Sequence, residues 1–158
     1  MATYASNTDV SSDRSRSEIE RTLRRYGATS FAYGWEGQAA MVGFIVRDRR
    51  VQFVLPLPDP KDREFTLTPA RRTLRTKAQA EAAYEQAVKQ RWRALNLVIK
   101  AKLEAVEAGI VTFEQEFAMH MILPNGQRAG EIVTLAIERA YETGTVIPLL
   151  GITAGGES

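Results

Sequence analysis

Apolar side chains recur along this chain with two different periods, and the switches between them mark out the elements. Ile19, Leu23 and Tyr26 fall at i, i+4 and i+7, the repeat of one apolar helical face. Ser15 precedes Glu18 by the three residues of a capping box, and Gly27 stands where a left-handed cap closes a helix. A helix is therefore predicted over 15–26. From Thr29 the period is two: Phe31, Tyr33 and Trp35 alternate with smaller residues, Glu36-Gly37 offers a turn, and AAMVGFIV follows. Asp48 and Arg49 offer a second tight turn before VQFVLPL, with Val51, Phe53 and Leu55 on one face. Short loops between three strands imply an antiparallel meander.

PLPDPKDREFTLTPARRTLRT has no sustained period and reads as a flexible surface connection or flap. The period of 3.6 returns at Lys77 and persists to Ala108 without Pro or Gly, then stops at Gly109. At about 100° per residue, with Arg91 as zero, Trp92, Leu95, Val98, Ile99, Leu103, Ala105 and Val106 occupy an arc from about 320° through zero to 120°. That arc is the predicted packing face. Lys89, Arg93, Asn96 and Lys100 form a polar stripe opposite it, whereas Arg91 and Lys102 fall inside the apolar arc. An unpaired cation there is costly, so each must snorkel, meet an acid or face a phosphate. Thr112 and Gln115 have capping-box spacing for a shorter helix to about Met121. Pro124-Asn125-Gly126 makes a turn, and a last amphipathic helix presents Ile132, Leu135, Ala136, Arg139 and Ala140 inward until Gly144.

The predicted fold class is α+β: an N-terminal helix, a three-stranded antiparallel meander packed on one long helix, then two shorter helices. The 158 residues suit one domain over 13–150, with a flexible leader at 1–12 and a flexible tail at 151–158. Without cysteine the chain has no disulfide framework and no Cys-based metal site. With no apolar segment of signal-peptide or membrane-spanning type, it is expected to be cytoplasmic.

Charge changes the picture. Residues 61–102 carry 11 basic and 4 acidic side chains, net +7, whereas residues 103–158 carry 2 and 8, net −6. A basic middle beside an acidic end points to a nucleic-acid face or to complementary protein surfaces. The densest cluster is Arg71, Arg72, Arg75 and Lys77. With Arg91, Arg93, Lys100 and Lys102 it supplies candidate phosphate contacts, and Tyr33 and Trp35 are candidate stacking residues. His120, the only histidine, has Glu116 at i−4, and two ligands do not make a metal site. No catalytic signature, phosphate-cradling loop, metal site or cofactor motif is found, so the expectation is a non-enzymatic protein.

The order helix, meander, long helix resembles the double-stranded RNA-binding domain and, in helix length and charge polarity, the core of phage and eukaryotic single-strand annealing recombinases. RWRALNLVIKAKLEAVEAGIVTFEQEF, LPNG and ERAYETGTVIPLL resemble a family of small bacteriophage and prophage proteins, over about Val10 to Leu150. The recombinase resemblance implies binding of single-stranded DNA in recombination or replication as a homo-oligomer, and the second resemblance implies a phage protein in a host bacterial cell. The lack of an apolar span implies no membrane partner. The alternative is a phage protein that binds a host or phage protein through charged surfaces.

Overall fold

The structure, a computed structural model, describes residues 2–146 and Pro148, with side chains from Asp13 onward. The tail expected at 151–158 lies outside the described residues. The fold is α+β. Helix α1 spans Ala2–Arg25. It therefore begins well before Ser15, and no Pro or Gly in residues 2–25 interrupts it. Gly27, at φ 96°, takes the left-handed conformation that turns the chain into the sheet.

Strands β1 (Ser30–Glu36), β2 (Ala39–Val46) and β3 (Arg49–Pro56) form the antiparallel meander in the order β1-β2-β3. The turns are Gly37-Gln38 and Arg47-Asp48, each one residue away from the positions read in the sequence. Ala40, Val42, Phe44 and Val46 of β2 and Val51 and Phe53 of β3 are buried on one face. The register sets Phe31, Tyr33 and Trp35 of β1 on that same face, opposite Phe44, Val42 and Ala40. The other face bears the small residues Ala32, Gly34 and Gly43 beside Met41, Ile45 and Val54.

A short helix, α2 (Arg63–Thr66), packs Phe65 edge-on against Tyr84 of α3 (Lys77–Glu107). Thr76 caps α3 in a reciprocal box with Gln79. The buried side chains of α3 are Tyr84, Val88, Trp92, Leu95, Asn96, Ile99 and Leu103. On the same angular scale they span about 20° to 140°, so the packing face is rotated some 40° from the apolar arc. The cause is α1, which packs along α3. Asn96 donates to Glu18 Oε2 at 2.8 Å and is buried there, although the sequence pattern placed it on the wet stripe. Val98, expected inside, and Leu97 are exposed. The contacts Glu18–Asn96 and Tyr26–Glu107 advance in the same chain direction, so α1 and α3 run parallel.

Helix α4 (Phe113–Phe117), capped by the expected Thr112–Gln115 box, closes one end of the core. Phe117 stands edge-on to Phe44 and Phe53. A single 3-10 turn, Ala118–His120, leads to Met121 and Ile122, which pair with the outer edge of β3. Helix α5 (Ala129–Thr143) then packs on that turn so closely that a Cβ at Gly130 would overlap the Met119 carbonyl. None of its residues is buried: Leu135, expected to point inward, is 58% exposed, and Tyr141 is 89% exposed.

Candidate nucleic-acid interface

The strand register gathers arginines at one end of the sheet. Helix α1 brings Arg21, Arg24 and Arg25 to its C-terminus, and the chain returns through Gly27 to Thr29, whose N–H donates to the Ile45 carbonyl at 2.9 Å. Ser30 pairs with Ile45, so one further step along the register sets Thr29 level with Val46, and the next sets Ala28 level with Arg47. The β2–β3 turn adds Arg47, Arg49 and Arg50. All six arginines are exposed. Arg24 pairs with Glu20 at 2.6 Å, and Arg25 lies over the Tyr26 ring. Among the described residues Arg21, Arg47, Arg49 and Arg50 enter no salt bridge.

The turn itself carries a conformational cost. Arg47 and Asp48 have φ of 51° and 63°, the two left-handed positions of a type I′ hairpin, for which Asn-Gly is the low-energy choice. Arginine and aspartate there raise the energy of the folded chain while holding a guanidinium at the tip.

The segment from 67 to 76 is a built hairpin instead of the flexible connection its composition suggested. Thr68 N–H donates to the Thr73 carbonyl at 2.9 Å, Arg72 N–H to the Thr68 carbonyl at 3.1 Å, and Arg75 N–H to the Thr66 carbonyl at 2.8 Å. The two threonine hydroxyls meet at 2.9 Å, and Leu67 bridges Leu74. This hairpin exposes Arg71 and Arg72, with Arg72 at φ 49°, half-buries Arg75 and runs into exposed Lys77.

The remaining candidates do not converge on that hairpin. Lys77 and Arg91 are about 21 Å apart along α3, and Lys77 and Lys102 about 37 Å, at 1.5 Å per residue. Arg91, itself exposed, donates to the Pro56 carbonyl at 3.1 Å, so it snorkels to the end of β3. Lys102 meets Glu116: Nζ lies 3.0 Å from Oε1 and 3.3 Å from the backbone carbonyl, with the Phe117 ring 5.9 Å away. The two cations that interrupt the apolar arc thus both have internal partners. Arg93 is exposed and Lys100 half-exposed on the outer side of α3. Tyr33 is half-buried, with the Arg16 guanidinium over its ring at 4.1 Å and Trp92 at 5.4 Å. Trp35 is 59% exposed, at the strand end away from the arginines.

His120 stacks on Phe53, their ring centroids 4.1 Å apart, and Lys102 has taken the Glu116 carboxylate. Among the described residues no three metal-ligating side chains form a group. Burial, then the charges of Lys102 and Arg128, push the His120 pKa below its ordinary value. The unfolded chain therefore takes up this proton at a higher pH than the folded one. His120 should cost stability as pH falls from about 6.5 toward its folded pKa, and cost nothing above that window. His120→Phe, which keeps a ring on Phe53, should flatten that part of the stability curve in urea titrations run at successive pH values.

Sequence reasoning missed Arg47, Arg49 and Arg50 as a site because VRDRR reads only as a turn. Nothing local announces that α1 ends beside it. Among the described residues, no helix is long and apolar enough to cross a membrane. No protein family, curated protein or solved structure matches the chain.

Proposed function

We propose that this is a non-enzymatic nucleic-acid-binding protein that holds single-stranded DNA by its phosphates and acts as a homo-oligomer. The observation that supports the reading is the cluster of six exposed arginines at one end of the sheet, five of them outside any salt bridge among the described residues. Arginine suits phosphate because its planar fork donates two parallel hydrogen bonds. These arginines stand on a hairpin tip and a helix terminus, a site that a flexible strand can follow without the shape of a duplex groove. The rigid hairpin with Arg71, Arg72 and Arg75 is a second anchor for the same strand, and Arg93 and Lys100 add positive potential along α3. The resemblance to small bacteriophage proteins suggests a viral setting, and that to single-strand annealing recombinases suggests recombination or replication.

Binding of a labelled single-stranded oligonucleotide, followed by anisotropy over a salt series, tests this. If Arg21, Arg25, Arg47, Arg49 and Arg50 each neutralise one phosphate, log K should fall against log salt with a slope of about −3.5, at 0.7 per contact. Absence of binding at low salt would end the reading.

A second reading is favoured by α5, whose apolar side chains Leu135, Ile137 and Tyr141 are exposed as they would be on a surface that docks a host or phage protein. Retention of a protein partner after nuclease treatment would support it.

A further inference from the structure

The two edges of the sheet differ. The outer edge of β3 is covered, with Ile122 N–H donating to the Arg50 carbonyl at 2.9 Å and Met121 bridging Val51. On the outer side of β1, no other strand pairs among the described residues. An edge strand is ordinarily protected by lysine, proline or a bulge. SFAYGWE has none of these, and its single charge, Glu36, stands at one end.

Two further features sit on the same strand. Trp35 stands out from its end, touching Tyr33 at a ring-centroid distance of 6.1 Å. At the other end, a mainly polar cleft of about 380 Å³ opens between α1 and β1, lined by the Glu20–Arg24 ion pair, Thr29 and Ser30, with Ala28 and the Phe31 ring as its half-exposed apolar part. Trp35 and Phe31 share the helix-covered face. A projecting indole and a cleft with an aromatic wall are thus carried on one face, at opposite ends of one strand whose outer edge has no strand partner among the described residues.

We propose that the protein is a two-fold dimer in which β1 pairs antiparallel with β1 of a second copy about Tyr33, and Trp35 enters the cleft of that copy. This deepens the self-association in the function proposed above, and it rests on that part of the reading alone. A two-fold axis normal to the sheet keeps the helix-covered faces together and makes one six-stranded sheet. The register then sets Trp35 against Phe31 of the partner subunit, Ala32 against the partner's Gly34, and Glu36 against the partner's Ser30. Aromatic pairs directly across antiparallel strands are the stabilising kind. Charge is compatible with this arrangement: Glu36 comes to the arginine end of the partner, where Arg24 lines the cleft beside Ser30, and the two copies of Glu36 stay apart.

The test uses the full chain in light scattering and sedimentation from low to high micromolar concentration. The expected mass is twice the 17.6 kDa of one chain. Trp35→Ala should weaken the dimer about tenfold or more with an unchanged circular dichroism spectrum, as loss of a central aromatic anchor does. Glu36→Arg should weaken it too, and Arg24→Glu in the same chain should restore it. Because the protein has no cysteine, Ala32→Cys gives a single reactive thiol beside the axis, and a short bismaleimide should link the two copies. A chain that stays monomeric at every concentration overturns the proposal. So does a dimer indifferent to Trp35→Ala, or one dissolved instead by Tyr141→Glu on α5. Oligonucleotide binding is scored separately. A monomer that binds DNA removes only the interface, and a dimer that binds none removes only the nucleic-acid reading.

Discussion

Replacing Arg47, Arg49 and Arg50 together by serine is expected to weaken binding of a single-stranded oligonucleotide by roughly 10²-fold at low salt, and to reduce the salt slope by about 2, three contacts at 0.7 each. These side chains are exposed on the β2–β3 turn, so their loss leaves the core untouched, and unfolding in urea should move by no more than about 0.5 kcal/mol. Serine at Arg71, Arg72 and Arg75 is the matched comparison. An equal loss there would make the hairpin part of the same path, and no loss would confine the phosphate contacts to the sheet end. The turn allows a sharper form of the experiment. Changing Arg47-Asp48 to Asn-Gly relieves two left-handed residues, at φ 51° and 63°, and should raise stability by about 1 kcal/mol. The same change should lower affinity. A more stable protein with undiminished affinity would remove Arg47 from the site.

Trp92→Ala is expected to cost about 3–5 kcal/mol, the range for truncating a large buried aromatic. Trp92 is 1% exposed, sits midway along α3 and packs against Tyr33 at 5.4 Å. Against the 5–15 kcal/mol that is usual for a whole domain, roughly a fifth or more of the stability would go. Leu97→Ala and Val98→Ala are informative beside it. Both residues are exposed in the chain described, so each should change stability by less than about 0.5 kcal/mol. Urea unfolding followed by circular dichroism distinguishes the cases. A loss of several kcal/mol from Val98→Ala would mean that the apolar arc, and not the rotated face, is what the core covers.

Much of the fold could be read in the sequence because it follows from local rules. Alternation over 31–35 and 39–46 and two tight turns define a meander, since a period of two buries one face of a pleated strand. Thr112–Gln115 and the glycines at 27, 109 and 144 mark helix ends, since cap geometry is a property of a few consecutive residues. The charge polarity is likewise a matter of counting. The hairpin at 67–74 was harder to read: its stability lies in side-chain bonds between Thr68 and Thr73, and a threonine pair at that spacing is common in loops without such a bond.

The candidate site was less legible, because a site is a statement about neighbours. By itself the sequence determined that Arg91 and Lys102 needed partners, through the cost of burying a charge. Only the tertiary structure decided that these were the Pro56 carbonyl and Glu116. The sequence determined an amphipathic α3, and the packing of α1 then rotated its buried face onto Asn96. Finally, VRDRR and RTLRR lie some twenty residues apart, each an ordinary run of charge. Gly27 and the register Ser30–Ile45 bring them to one end of the sheet, because strand pairing is a long-range contact that no local pattern encodes.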